Sequence, residues 1–105
     1  MSIKVQWEHR LGDGETVEHG KGTLKQAMQS HFEWVKSCEA MFFVDYEART
    51  YIAIGRGRRP KIRWEVYGAA YAYTLAYSYC YLDHKTIGLV DHNKLEQSYR
   101  KERGL

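Results

Sequence analysis

Five cations crowd one short stretch of the chain, and their spacing suggests anion binding. Residues 55–63 read Gly-Arg-Gly-Arg-Arg-Pro-Lys-Ile-Arg. The chain carries a net charge of +3, so the residues outside this stretch sum to −2. A local cationic patch attracts phosphates or acidic proteins, and arginine forks match phosphate oxygens. The sequence therefore predicts an anion-binding loop, with a solvated hairpin tip as the alternative; its cations are Arg56, Arg58, Arg59, Lys61 and Arg63.

A ladder of tyrosines follows this loop. Large residues alternate with small ones such as Ala72, Ser78 and Cys80. On a strand the tyrosines would share one face, which could stack on bases, bind a protein or join two copies of the chain. On a helix most of them would be core and boundary residues. Trp64 is predicted to add to the stacking surface, and the ladder consists of Tyr71, Tyr73, Tyr77, Tyr79 and Tyr81.

Two Asp-His dipeptides, at 83–84 and 91–92, are candidates for metal or acid–base chemistry. Histidine beside carboxylate can bind a divalent ion or move a proton. The hypothetical site would use His84, Asp91 and His92. Solvated turn residues are the alternative, since the spacing matches no known metal motif. His31 lies on the apolar stripe of a predicted helix and is expected to be a hydrogen-bonded core residue.

Several motifs of enzymes and cofactor sites are missing from the sequence. Pro60 stands where a dinucleotide fingerprint needs its third glycine, and no phosphate-loop ending, His-Glu-x-x-His or Gly-x-Ser-x-Gly motif is present. Cys38 and Cys80 are 42 residues apart and are expected to be reduced, buried thiols. We therefore expect no catalytic residues, no cofactor and no metal.

The first third of the chain predicts a hairpin followed by a helix. Apolar residues alternate from Ile3 to Leu11, and Gly12 to Gly14 supplies a turn before a short strand at 16–19. Thr23 and Gln26 have the spacing of a capping box. Leu24, Met28, His31, Val35 and Cys38 then repeat at three and four residues. This pattern predicts a helix at 24–37.

The rest of the chain predicts more strands and a terminal helix. Segments 41–46 and 51–54 are rich in strand formers and are expected to pair antiparallel. Beyond Pro60, alternation favours a strand pair, whereas four alanines between 69 and 76 favour a long helix. Asn93 and Glu96 form a second capping pattern for a helix at 94–103, which Gly104 would end. The predicted fold is α+β, an antiparallel β-β-α-β-β sheet, then a strand pair or long helix, with helix 24–37 covering the sheet.

The 105 residues fit a single globular domain, 1–105. The longest uncharged stretch, 66–82, is too polar and slightly short to span a bilayer. The N-terminus lacks the apolar block of a secretory signal. These features predict a cytoplasmic protein without a membrane partner.

Together these patterns predict a small non-enzymatic binding module that docks nucleic acid, or else an acidic protein surface, through the basic loop and adjacent aromatic residues. The first alternative is a phage- or mobile-element-type inhibitor or adaptor. Such a protein would bind a host protein, or form a homo-oligomer, through its tyrosine-rich face. The second alternative is a small metal-dependent nuclease or hydrolase built on the Asp-His dipeptides.

Overall fold

A computed structural model describes residues 3–12, 14–42, 49–67 and 74–104, and it has the predicted α+β fold. Five strands form one antiparallel sheet, and a long helix packs on it. The strands are β1 (Lys4–Leu11), β2 (Thr16–Thr23), β3 (Arg49–Gly55), β4 (Lys61–Tyr67) and β5 (Thr74–Tyr81). The helices are α1 (Leu24–Phe42), α2 (His84–Gly88) and α3 (His92–Arg103).

The strand order in the sheet is β2-β1-β5-β4-β3, and every neighbouring pair is antiparallel. β5 lies at the centre, bonded to β1 on one side and β4 on the other. The alternation of large and small residues therefore predicted β5 correctly, and a long helix over this segment is wrong for residues 74–81. Tyr71 and Tyr73 lie outside the described residues.

The hairpin of β1 and β2 depends on a glycine beneath a tryptophan. Trp7 on β1 is the cross-strand partner of Gly20 on β2. A Cβ placed on Gly20 would lie 2.4 Å from the Trp7 ring, which no real side chain tolerates without movement. The indole covers the backbone that glycine leaves bare, as an aromatic residue does for glycine in other sheets. β2 also extends to Thr23, beyond the predicted end at 19.

Helix α1 begins at the predicted capping box and ends later than predicted. The Thr23 amide donates to Gln26 Oε1 at 2.9 Å, and the Gln26 amide donates to Thr23 Oγ1 at 3.1 Å. No glycine or proline interrupts the chain from 24 to 42, so the helix continues to Phe42. The predicted strand at 41–46 is therefore wrong for its first two residues, and the remainder lies outside the described residues. β3 pairs with β4 instead.

The core lies between the sheet and the helices. α1 contributes Met28 and Phe32, α3 contributes Leu95 and Tyr99, and they pack against apolar residues of the sheet. Trp64 is among these buried residues, with 0% of its surface exposed. The prediction that Trp64 offers a stacking surface is therefore wrong. Strand alternation turns it toward the helices, away from the face that carries its neighbours Arg63 and Glu65.

Aspartates cap the two C-terminal helices. Asp83 accepts from the Thr86 amide at the start of α2, a helix that the sequence did not predict. Asp91 accepts from the amides of Asn93 and Lys94, so it is the cap of α3 in place of the predicted Asn93. Gly104 ends α3 in the left-handed conformation, as predicted. Within the described ranges, no helix combines the length and the apolar character that crossing a membrane requires.

Candidate functional site

The sheet face opposite the helices carries tyrosines flanked by charged residues. In the register of the sheet, Tyr79 lies between Glu8 of β1 and Arg63 of β4, and Tyr77 lies between Arg10 and Glu65. None of the described helices packs its apolar side chains on this face, because they pack into the core on the other side. We call it the tyrosine face; it consists of Gln6, Glu8, Arg10, Lys61, Arg63, Glu65, Tyr77, Tyr79 and Tyr81.

Cations surround the central ring of this face. Arg10 and Lys61 each lie 4.9 Å from the centroid of the Tyr79 ring, and Arg63 lies 5.5 Å away. Arg63 Nη1 also donates to the Tyr79 hydroxyl at 3.1 Å. Tyr77 meets Tyr79 edge to face, with ring centroids 5.5 Å apart. Cation–π contacts and aromatic contacts of this kind hold the rings in fixed orientations.

The arginines that contact Tyr79 are compensated by acids on the same face. Arg10 forms an ion pair with Glu8 at 2.6 Å, and Arg63 forms one with Glu65. Glu65 is almost fully buried, at 3% exposed, so its pair with Arg63 is shielded from solvent. Arg10 and Arg63 therefore organise the tyrosine face and add little net positive charge to it.

Tyr81 is fixed by a carboxylate. Its hydroxyl donates to Glu8 Oε1 at 2.5 Å, and Glu8 also accepts from Arg10 and Thr16. Burial, together with this bond, raises the pKa of Tyr81 to about 12. Burial alone would raise the pKa of Glu8, but the hydrogen bonds from Tyr81 and Arg10 outweigh it and lower that pKa. At neutral pH Tyr81 is thus a neutral donor to a charged Glu8.

Only one end of the tyrosine face is accessible among the described residues. Tyr77 is buried, at 7% exposed, whereas Tyr79 and Tyr81 are half-buried. Tyr81 lies beside the loop between β3 and β4, whose Arg59 guanidinium sits 3.8 Å above the centre of its ring. Of the tyrosines predicted to share one face, Tyr79 and Tyr81 are accessible and Tyr77 is buried, whereas Tyr71 and Tyr73 lie outside the described residues.

Beside Tyr81 the surface opens into a groove bordered by cations. It has a volume of about 690 Å³, and Lys4, Lys21 and Arg59 stand around it. None of these three forms an ion pair with a described carboxylate. Asp83 also borders the groove, with its carboxylate bonded to the start of α2. We call this the lysine groove; it is lined by Lys4, Val5, Gln6, Lys21, Gly22, Arg59, Tyr81, Leu82 and Asp83.

Comparison with protein-family models, with curated proteins and with solved structures finds no match to this chain.

The predicted basic loop splits into two groups in the structure. Arg59 and Lys61 contact tyrosine rings of the sheet, Lys61 at 5.8 Å from the Tyr81 centroid. Arg56 and Arg58 lie exposed between β3 and β4, without an ion pair to any described carboxylate. The charge that is available to a ligand therefore comes from the loop and from the groove.

Lys4 and Lys21 were missed from the sequence, because they lie 17 residues apart and far from the arginine loop. The register pairs Lys21 with Gln6, and Lys4 is two residues from Gln6 on the same face of β1. Alternation in β1 does indicate that one face of this strand is polar, opposite the face of its apolar residues. The polar face carries Lys4, Gln6, Glu8 and Arg10. What the sequence could not show is that β1 pairs with β5.

A buried polar chain on the helix side resembles catalytic machinery but cannot act as such. The Ser78 hydroxyl lies 2.6 Å from Nδ1 of both His9 and His31, so it donates to one ring and accepts from the other. The remaining ring nitrogens lie 2.7 Å from Ser30 Oγ and 3.0 Å from the Tyr99 hydroxyl. Ser78 and both histidines are fully buried. A nucleophile without access to substrate does no chemistry, so this chain of bonds stabilises the fold, and His31 is the bonded core residue predicted.

The hypothetical metal site at the Asp-His dipeptides does not assemble. Asp91 is the cap of α3, and His92 Nε2 lies 3.4 Å from the carbonyl oxygen of Ile52. His84 is exposed at the start of α2. Within residues 3–12, 14–42, 49–67 and 74–104, no three His, Cys, Asp or Glu side chains are grouped to hold a metal ion.

Proposed function

We propose that this protein binds nucleic acid at the lysine groove and the adjoining end of the tyrosine face. The observation that carries the proposal is the convergence of Lys4, Lys21 and Arg59 around one groove, where none of the three forms an ion pair with a described carboxylate. Phosphate contacts from lysine and arginine supply most of the affinity in nucleic-acid complexes. Tyr81, on the wall of the same groove, adds a ring against which a base can pack.

The charge arrangement of the tyrosine face supports an anionic ligand at this end. The acids of the face, Glu8 and Glu65, are bound to Arg10 and Arg63. They are therefore compensated and repel a phosphate little. No described carboxylate forms an ion pair with the groove and loop cations Lys4, Lys21, Arg56, Arg58 and Arg59. Arg56 and Arg58 stand near enough along the chain to extend the cationic track beyond the groove.

The test compares two triple variants of equal charge. Lys4→Ala/Lys21→Ala/Arg59→Ala removes the groove cations, and Lys36→Ala/Lys94→Ala/Lys101→Ala removes three exposed cations from α1 and α3. Fluorescence anisotropy with a labelled 12-nucleotide strand and its duplex is measured from 50 to 200 mM salt. We expect the groove variant to lose affinity and to flatten the salt slope by about 2, at roughly 0.7 per phosphate contact.

The helix variant should keep the slope and most of the affinity of the natural protein. Equal losses in the two variants would mean that only net charge matters, and this would contradict the proposed site. No binding of either oligonucleotide at 50 mM salt would contradict the proposed function itself.

A protein partner is the second candidate, because the accessible end of the tyrosine face combines Tyr79, Tyr81 and Arg59. Tyrosine and arginine are over-represented among residues that dominate protein interfaces. If an acidic protein is the ligand, Tyr79→Ser should abolish its capture by the immobilised protein, while neither oligonucleotide competes.

A further inference from the structure

We infer that the ligand is single-stranded, with one unpaired base seated in the lysine groove against Tyr81 and its phosphates on Lys4 and Lys21. This inference rests on the proposed function and specifies the class of nucleic acid. It follows from the lining of the groove, from the position of Arg59 and from the way Tyr81 is held.

The lining of the groove combines apolar and aromatic side chains with charged ones. Val5 and Leu82 belong to the core, and both line the groove together with Tyr81. A duplex presents phosphates and base edges, whereas its base faces are hidden in the stack. The aromatic and aliphatic part of this lining gains contact only with a base that has left the stack, as in the recognition of single strands.

Arg59 occupies the position that a base would take. Its planar guanidinium lies 3.8 Å above the centre of the Tyr81 ring, which is a stacking distance. Arg59 is exposed and has no ion pair with a described carboxylate. A base can therefore extend this stack or replace the guanidinium on the ring, and Arg59 is then available to a phosphate.

The Tyr81 ring is held in place before any ligand binds. The bond from its hydroxyl to Glu8 fixes the ring, and Arg10 fixes Glu8 in turn. A ring that is already ordered loses little conformational entropy when a base stacks on it. Gln6, the cross-strand partner of Tyr81, is exposed on the groove wall, where its amide offers a donor and an acceptor to a base edge.

The dimensions fit a short length of single strand. The groove volume of about 690 Å³ lies within the roughly 300 to 1,000 Å³ typical of small-ligand sites. A second depression of about 350 Å³ shares Gln6, Lys21, Arg59 and Tyr81 with it and extends to His19 on β2. The two together form a track across the sheet edge, along which a strand can run from one cation to the next.

The test uses three probes that carry the same number of phosphates per strand. They are a labelled 12-nucleotide single strand, its blunt duplex, and a 12-unit abasic strand with the same backbone. At physiological salt we expect the single strand to bind at least tenfold more tightly than either of the others. Fluorescence of a 2-aminopurine placed in the strand should be quenched when its base stacks on the protein.

The protein variants separate the ring from the charge. Tyr81→Leu should weaken single-strand binding by about 5- to 150-fold, the effect of one stacked base, and leave the abasic strand unchanged. Tyr81→Phe keeps the ring and should retain most of the affinity. Because it loses the bond to Glu8 as Tyr81→Leu does, it separates the effect of the ring from the effect of that bond. Tyr51→Leu is the matched control, because Tyr51 is 49% exposed on the edge strand β3 and does not line the groove.

Two results would overturn the inference and leave the proposed function standing. They are duplex binding as tight as single-strand binding, and abasic binding as tight as that of the natural strand. Either one would show that phosphates alone are recognised. Absence of binding by all three probes at low salt would instead overturn the proposed function, so the two failures are distinguishable.

Discussion

At the scale of single residues, the buried His9 couples stability to pH. His9 lies fully buried between Ser78 and Ser30, and Trp34 stacks on its ring at 6.0 Å between centroids. Burial lowers the pKa of His9 to about 4, from an ordinary value of 6.5. The neutral ring is the form that this site accepts, since a protonated ring would have two donors and no solvent to stabilise its charge.

We therefore predict that the free energy of unfolding falls as the pH is lowered from 6.5 toward 4. In this range the unfolded chain binds a proton at His9 and the folded chain does not, so the folded state becomes relatively less stable. The slope from His9 should approach about 1.4 kcal/mol per pH unit. Urea unfolding between pH 5 and 7 measures it. His9→Gln should be less stable at pH 7 with a shallower slope, and an unchanged slope would contradict the assignment.

At the scale of elements, the helices and strands that could be predicted are those whose local sequence pattern determines their bounds or their faces. The capping box at Thr23 and Gln26 fixes the start of α1, and alternation along β5 fixes its two faces. The end of α1 was mispredicted because phenylalanine and its neighbours favour strands, whereas in the structure the helix continues through Met41 and Phe42. The groove could not be predicted, because it forms only where Lys21 of β2, Lys4 of β1 and Arg59 meet.

The β1–β2 hairpin provides a prediction at this scale. Gly20→Ala places a Cβ where the Trp7 ring now lies, so we expect a loss of about 1 to 3 kcal/mol in the free energy of unfolding. The control is Gly57→Ala in the loop between β3 and β4, where a Cβ would meet no atom within 4 Å. It should change stability by less than about 0.5 kcal/mol. Thermal unfolding followed by circular dichroism compares the two variants. Equal losses of unfolding free energy would contradict the conclusion that the Trp7 ring requires glycine at position 20.

At the scale of the whole molecule, the two faces of the sheet carry separate tasks. The helix side holds the core and the buried chain of hydrogen bonds around Ser78. The opposite side holds Tyr79, Tyr81 and the cations that border the lysine groove. Because successive residues of β5 point to opposite faces, stability and binding can be changed independently even at neighbouring positions.

We predict that Ser78→Ala lowers the free energy of unfolding by about 2 to 4 kcal/mol, because it removes the buried hydroxyl that bonds to the imidazoles of both His9 and His31. Its affinity for the single-stranded probe, measured below its melting temperature, should match that of the natural protein. The groove variant Lys4→Ala/Lys21→Ala/Arg59→Ala should show the reverse, with near-normal stability and weakened binding. A parallel loss of both properties in either variant would show that the two faces are coupled.

The central position of β5 also determines when the chain can fold. The hairpin of β1 and β2 and the pair of β3 and β4 are joined in the sheet through β5, which is synthesised after the other four described strands. Until residues 74–81 emerge, β1 and β4 each have an open edge able to pair with another chain. Completion of this sheet during synthesis must therefore wait for β5, and nascent chains halted before β5 should be prone to aggregation. The late strand that presents Tyr79 and Tyr81 is thus also the strand that completes the sheet.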